Sequence, residues 1–283
     1  MPPIRVLSPD APFADRGEVE RALAGPAFAF DYLSVERSED IPDAALAACD
    51  ALIAWHYCRW DRTTLARMPR CRAIMRAGVG YDHIDLEAAG AAGIAVLNTP
   101  DYGTGEVADH AIALLLAFRR GIASHHDWLR DDPTGVWLGR PGPLMKRLRG
   151  TTLGVVGLGR IGTAFVQRAK PFGFRILAYD PYLPRGQEIA LGVERVESLE
   201  ALLSESEIVS LHCPLSAETR NMMNAARFAS LREGAILINT ARGGLVELDA
   251  CYESLKSGRL AAAGLDVLPQ EPMPADHPLI AAH

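Results

Sequence analysis

Three glycines in the run Gly157-Leu158-Gly159-Arg160-Ile161-Gly162, with an acid, Asp180, eighteen residues beyond the last of them, are the residues of this chain whose spacing points most directly to chemistry. The first glycine permits a tight turn, the second lets backbone approach a pyrophosphate, and the third allows a helix to pack closely on a strand. The N-terminus of the following helix would face the phosphate charge, and Arg160 and Ile161, inside the turn, are counted with the glycines as cofactor-binding residues. Asp180 lies close to the spacing of roughly 20 residues at which a carboxylate accepts hydrogen bonds from the adenosine ribose hydroxyls. That carboxylate would repel a 2′-phosphate, and Pro181-Tyr182-Leu183 supplies no arginine to receive one, so NAD is expected rather than NADP. The motif needs a strand before it and a helix after it. Leu153-Gly154-Val155-Val156 reads as a buried strand, Thr163–Phe172 as a helix, and Arg175–Tyr179 as the second strand that delivers Asp180.

The rest of the chain repeats that rhythm. Short Val, Ile and Leu runs alternate with alanine-rich helical stretches, as in parallel strands joined by crossover helices. The expected fold class is α/β, with two Rossmann-like, doubly wound parallel-sheet domains and a cleft between them. In the first third, strands are read at Ile4–Ser8, Ala51–Trp55, Ala73–Arg76 and Ala95–Leu97, with a helix at Leu86–Ala92. Residues 1–100 form the first expected domain. A long helix over Glu106–His125 leads into the second, residues 101–283.

With 283 residues and 49% hydrophobic content, the chain can fill two cores. A net charge of −6, with Lys and Arg scattered singly, leaves no basic patch, so no nucleic-acid partner is expected. Five cysteines without a C-x-x-C pair indicate neither a disulfide framework nor a metal site, and a reducing cytoplasm fits them. No export signal is visible, and no apolar run approaches the ~18 residues of a membrane-spanning helix.

Beyond these features the sequence resembles the D-isomer-specific 2-hydroxyacid dehydrogenases, which include D-3-phosphoglycerate, glycerate, formate and D-lactate dehydrogenases. The resemblance runs over almost the whole chain. It rests on Arg76-Ala77-Gly78-Val79-Gly80-Tyr81-Asp82, Asn98-Thr99-Pro100, Asn239-Thr240-Ala241-Arg242-Gly243-Gly244, and Gly264-Leu265-Asp266-Val267 leading to Glu271-Pro272. Asp180-Pro181-Tyr182 and the run Asn239 to Val246 look most like the C-terminal-binding proteins within that family. The resemblance implies interconversion of a 2-keto acid and a D-2-hydroxy acid by hydride transfer with NAD(H), in a flavodoxin-like substrate domain and an NAD-binding domain. It assigns Arg242 to the substrate carboxylate and keto oxygen, a task suited to a planar guanidinium, and Glu271 to hydrogen bonding of the catalytic histidine. It places the substrate carboxylate at the amides of Val79 and Gly80. It puts Asp266 at the nicotinamide carboxamide, Thr240 and Ala241 along the ring, His212-Cys213-Pro214 beside the adenosine, and Thr104 beneath the nicotinamide phosphate.

The family's Thr-Pro-His block has no counterpart in the twelve residues after Glu271. His277 and His283 fall where the family carries ordinary loop residues; His212, ending a strand, reads as a cofactor-wall residue; His110, His125 and His126 read as packing or surface residues. The expectation is that the natural chain continues with a strand, the histidine block and a helix returning to the first domain, without which apolar surface would stay uncovered. An intact natural protein of 30.6 kDa would contradict it. Two other readings follow from the missing histidine and the corepressor likeness: an NAD(H)-sensing interaction protein, or an inactive paralogue.

Helix Glu106–Arg120 carries more apolar residues than one core-facing stripe requires, which together with the resemblance points to a homodimer. Trp55, His56 and Tyr57, ending a strand of the first domain, would suit a larger or apolar 2-keto acid better than glyoxylate.

Overall fold

The computed structural model describes residues 2–13, 17–135, 139 and 141–280; His283 lies outside them. The chain divides into two compact units, Met1–Gly103 and Thr104–His283.

The first unit runs β1 (Ile4–Ser8), α1 (Glu18–Ala24), β2 (Phe28–Tyr32), α2 (Asp43–Ala48), β3 (Ala51–Ala54), α3 (Arg62–Ala66), β4 (Ala73–Arg76), α4 (Leu86–Ala91) and β5 (Ala95–Asn98). Its sheet is parallel, in the order β2-β1-β3-β4-β5. The order reverses between β1 and β3, the switch point at which such sheets open a crevice beyond their carboxyl ends. Leu52, Ile74, Leu46 and Leu65 bury one face of this sheet. On the opposite face Ile53, Met75 and Leu97 stand in register across β3, β4 and β5, with Met75 40% and Leu97 51% exposed. β2 was not among the expected strands. It is an edge strand with no fully buried residue, so its sequence carries little of the apolar periodicity that marks the inner strands.

The second unit runs α5 (Thr104–Arg119), α6 (Ile122–Asp131), β6 (Thr152–Val156), α7 (Arg160–Ala169), β7 (Arg175–Tyr179), α8 (Gln187–Leu191), β8 (Glu194–Arg195), α9 (Leu199–Glu205), β9 (Ile208–Leu211), α10 (Ala225–Ser230), β10 (Ala235–Asn239), α11 (Leu248–Lys256) and β11 (Leu260–Leu265). Its six-stranded sheet has the order β11-β10-β9-β6-β7-β8, with every pairing parallel. β6, β9 and β10 are buried along their whole length because helices cover both faces. The switch point falls between β6 and β9.

The helix expected over Glu106–His125 is two helices. α5 stops at Arg119, Gly121 adopts the left-handed φ of 64° with its N-H on the Phe118 carbonyl at 3.1 Å, and α6 starts at Ile122. Glycine takes that conformation without a Cβ penalty, so the apolar pattern continues through a real helix break. α5 packs on α7 and on β10 and β11. Ala108, Ala111, Ile112 and Leu115 are buried there, and Leu114, Leu116 and Phe118 lie partly buried against the same cluster. The surplus of apolar residues in α5 is therefore largely taken up inside its own unit. No helix among the described residues is long and apolar enough to cross a membrane.

Candidate functional site

The glycine-rich turn sits at the switch point of the second unit. Gly157 follows β6 with φ 92°, and its amide donates to the Tyr179 carbonyl at 2.9 Å, tying the turn to the end of β7. A Cβ on Gly157 would come within 2.9 Å of the Cys213 backbone, and one on Gly162 within 2.0 Å of the Gly157 carbonyl oxygen. A Cβ on Gly159 meets nothing within 4 Å, which is the open approach a phosphate needs. α7 begins at Arg160, three residues earlier than expected, and has no side-chain cap, so its first N-H groups lack intrahelical partners. Phe172 belongs not to α7 but to a short 3-10 turn, Lys170–Phe172, because Pro171 removes a backbone donor.

Asp180 ends β7 as expected. Its Oδ2 accepts from Leu158 N-H at 2.9 Å and its Oδ1 from Tyr182 N-H at 3.0 Å, so the carboxylate faces the glycine turn with lone pairs to spare. It borders a cavity of about 450 Å³ lined also by Gly157, Gly159, His212, Cys213 and Pro214. Burial pushes the Cys213 thiol up to about 11, so it stays protonated and is no nucleophile. The Nε2 of His212 lies 2.9 Å from Ser210 Oγ, while Nδ1 is buried without a partner. An orphaned polar atom, an open glycine and a shared-acceptor carboxylate around one cavity fit the adenosine half of NAD.

Burial also lowers the His212 pKa to about 3. Its imidazole is neutral at working pH and cannot donate a proton to substrate. The shift has a stability consequence. Between pH 3 and the unfolded value near 6.5 the unfolded chain binds one proton more than the folded chain, so His212 lowers stability as pH falls, by about 1.4 kcal/mol per pH unit. Chemical denaturation of His212→Gln from pH 7 to pH 4 is expected to lose that slope; a slope equal to the parent's would reject the assignment.

Arg242 follows β10 on the same carboxyl edge. Asn239, fully buried, shapes its turn: Nδ2 donates to the Arg242 carbonyl at 2.9 Å and Oδ1 accepts from Ala241 N-H at 3.1 Å. The Arg242 guanidinium reaches the Ala241 carbonyl through Nη1 at 2.6 Å. Gly243 lets this turn meet the next loop, since a Cβ there would lie 1.9 Å from the Leu268 carbonyl carbon. That loop carries Glu271, whose Oε1 accepts from Leu268 N-H at 2.8 Å. Thr240 is buried with Oγ1 unpartnered. Asp266 ends β11 with its side chain half-exposed. His110, expected to be a packing or surface residue, is exposed on α5 and holds Nε2 3.3 Å from Asp266 Oδ1. Nothing local signals this pairing, since it joins α5 to the end of β11. Thr104 is the first residue of α5. His277 stands apart, with Nδ1 accepting from Leu279 N-H at 3.3 Å and Nε2 3.6 Å from Asp249 Oδ1.

In the first unit, Val79 and Gly80 lie in the loop after β4. Their carbonyls are held, Val79 by Asn98 Nδ2 at 2.8 Å and Gly80 by Arg76 Nε at 2.7 Å, while their N-H groups make no hydrogen bond among the described residues.

Residues 112–283 match the NAD-binding domain of the D-isomer specific 2-hydroxyacid dehydrogenases. The chain belongs to that family. It is 43% identical over 235 residues to a glyoxylate reductase of Korarchaeum cryptofilum, covering 82% of this chain and 70% of that protein. It is 36% identical to a D-3-phosphoglycerate dehydrogenase of Methanocaldococcus jannaschii, covering 98% of this chain and about half (51%) of that protein's length. The D-lactate dehydrogenase of Aquifex aeolicus, solved with NAD and lactic acid, superposes with a TM-score of 0.84 at 30% identity, covering 98% of this chain and 79% of that one. As a member of this dehydrogenase family the chain is an NAD-dependent oxidoreductase of the CH-OH group, as its motifs predict, and these relatives, all named dehydrogenases or reductases, do not favour a sensing protein.

Proposed function

We propose that the first unit receives the carboxylate of a small 2-keto acid at the N-H groups of Val79 and Gly80, while the second holds NAD(H) and supplies Arg242. The observation that carries this reading is the placement of Asp180, the glycine turn and Arg242 on one carboxyl edge of the second sheet, where ligands of such sheets bind. Bound NADH supplies a hydride to the keto carbon. Arg242 binds the substrate carboxylate and stabilises the charge that develops on the keto oxygen. Glu271 is the carboxylate that would orient a proton-donating imidazole and raise its pKa; His212 is too buried for that task and His277 is turned to Asp249, so neither is assigned it. Asp180 binds the adenosine ribose, Gly157, Gly159, Arg160, Ile161 and Gly162 cradle the pyrophosphate, and His212, Cys213 and Pro214 wall the adenosine. Asp266 binds the carboxamide, Thr240 and Ala241 line the ring, and Thr104 underlies the nicotinamide phosphate.

The side-chain pocket lies near Trp55, His56 and Tyr57, which favours a keto acid larger than glyoxylate. NADH oxidation by the natural full-length protein, followed at 340 nm against glyoxylate, pyruvate, hydroxypyruvate and a branched 2-keto acid, tests both parts. Turnover with a D-2-hydroxy acid product is expected. No turnover on any of them would sink the activity; a strong preference for glyoxylate would overturn the size preference alone.

The protein is placed in the cytoplasm, in keeping with five free cysteines. It acts as a homodimer through the part of α5 that its own unit leaves half-exposed, and a monomer in light scattering at micromolar concentration would refute that.

A further inference from the structure

The switch-point crevice of the first unit, between β1 and β3, is already filled by one of the chain's own side chains. Asp10 follows β1 and is 1% exposed. Its Oδ1 accepts from Trp55 N-H at 3.1 Å, and its Oδ2 from Tyr57 N-H at 3.1 Å and Cys58 N-H at 3.2 Å. Three amides converging on one buried carboxylate form the arrangement that would otherwise bind a ligand's anion. A buried carboxylate satisfied by three backbone donors is also a rigid anchor, because each bond to a charged acceptor is worth more than a neutral one. The anchored turn carries His56, whose Nδ1 lies 3.2 Å from Arg76 Nη2, and Arg76 in turn donates through Nε to the Gly80 carbonyl at 2.7 Å. Arg76 is itself buried, and a Cβ on Gly78 would strike its guanidinium at 2.4 Å, so the loop 78–80 rests directly on this side chain.

We propose that Asp10 is a positioning residue for substrate: it fixes the Trp55–Cys58 turn and, through His56 and Arg76, aims the N-H groups of Val79 and Gly80. With the amides of Trp55, Tyr57 and Cys58 spent on Asp10, those of Val79 and Gly80, unbonded among the described residues, lie one strand farther along, after β4. Asp10→Asn keeps the shape but loses an acceptor oxygen and the charge, so the turn loosens and the loop 78–80 loses its alignment. His56→Ala breaks the relay beyond Asp10 without disturbing the buried carboxylate, and its exposed position makes it safe for folding.

The inference rests on the substrate role proposed above for Val79 and Gly80, and two readouts separate the failure of one from the failure of the other. The first is calorimetric binding of oxamate, a non-reacting 2-keto-acid isostere, to the NADH-saturated protein. Asp10→Asn and His56→Ala are each expected to weaken oxamate about tenfold, as the loss of a hydrogen bond to a charged group does. NADH affinity should stay within about twofold of the parent, since the cofactor contacts lie elsewhere. The double variant should bind oxamate no more weakly than the weaker single one; additive weakening would refute the route through His56. The second readout is the amide ¹H–¹⁵N resonances of Val79 and Gly80 without ligand, which should move in both variants. A parent protein that takes no oxamate rejects the substrate role, and the resonances then decide the relay by themselves. Oxamate affinity and Val79 and Gly80 resonances both unchanged in a folded Asp10→Asn, or in His56→Ala, would overturn the proposal.

Discussion

Arg242→Lys is expected to lower kcat/KM for every 2-keto acid tested by about 10²- to 10³-fold, the cost of removing one preorganised donor from a developing oxyanion. The charge survives this substitution, so the loss measures geometry. The guanidinium is planar and can meet a carboxylate and a carbonyl oxygen with separate N-H groups while keeping a third on its own backbone, as Nη1 does with the Ala241 carbonyl. An ammonium has three donors on one point and cannot span them. The turn beneath it is held by Asn239 through the backbone, so the substitution leaves the fold and NADH binding intact. The measurement is NADH oxidation at 340 nm with a fluorescence titration of NADH alongside; a lysine variant within about threefold of the parent, too small for a lost oxyanion donor, would remove Arg242 from the reaction.

Gly162→Ala is expected to weaken NADH binding by about 100-fold and to lower the unfolding temperature, because its Cβ meets backbone rather than a flexible side chain. The obstructing atom is the Gly157 carbonyl oxygen at 2.0 Å, and Gly157 is itself confined by φ 92° and by the Cys213 backbone. The helix must retreat from the turn, and the phosphate-facing N-H groups retreat with it. Gly159→Ala provides the contrast. A Cβ there touches nothing within 4 Å, so stability should be unchanged while NADH affinity still falls, the methyl group occupying the space left for the pyrophosphate. Thermal unfolding and NADH titration on both variants distinguish the two roles. Equal stability losses in the two would show that Gly159 is as tightly packed as Gly162 and would reject the distinction.

Part of this molecule is legible from its sequence because the controlling interactions are local. The strands Ile4–Ser8, Ala73–Arg76 and Arg175–Tyr179 have the bounds that the sequence predicts, since a short apolar run of strand-forming residues marks each of them. The glycine turn and Asp180 are equally readable: tight turn, close approach and ribose acid each demand one residue type at a fixed spacing. A local code also misleads where two elements share a pattern. The apolar rhythm of residues 106–125 runs on through Gly121, and the break at φ 64° shows only in the backbone.

Tertiary structure alone decided the pairings between distant residues. His110 meets Asp266, Asn239 braces the turn of Arg242, Gly243 admits the loop of Glu271, and Asp10 collects amides from residues 55–58. Each depends on which strands became neighbours and on the direction of a side chain at a strand end, and neither quantity has a period in the sequence. The sequence by itself thus determined the fold class, the family and the cofactor, because those rest on periodicity and short motifs. The protonation of His212, the freedom of the Val79 and Gly80 amides and the occupancy of the first switch point by Asp10 were decided only when burial and strand order set which polar groups found partners.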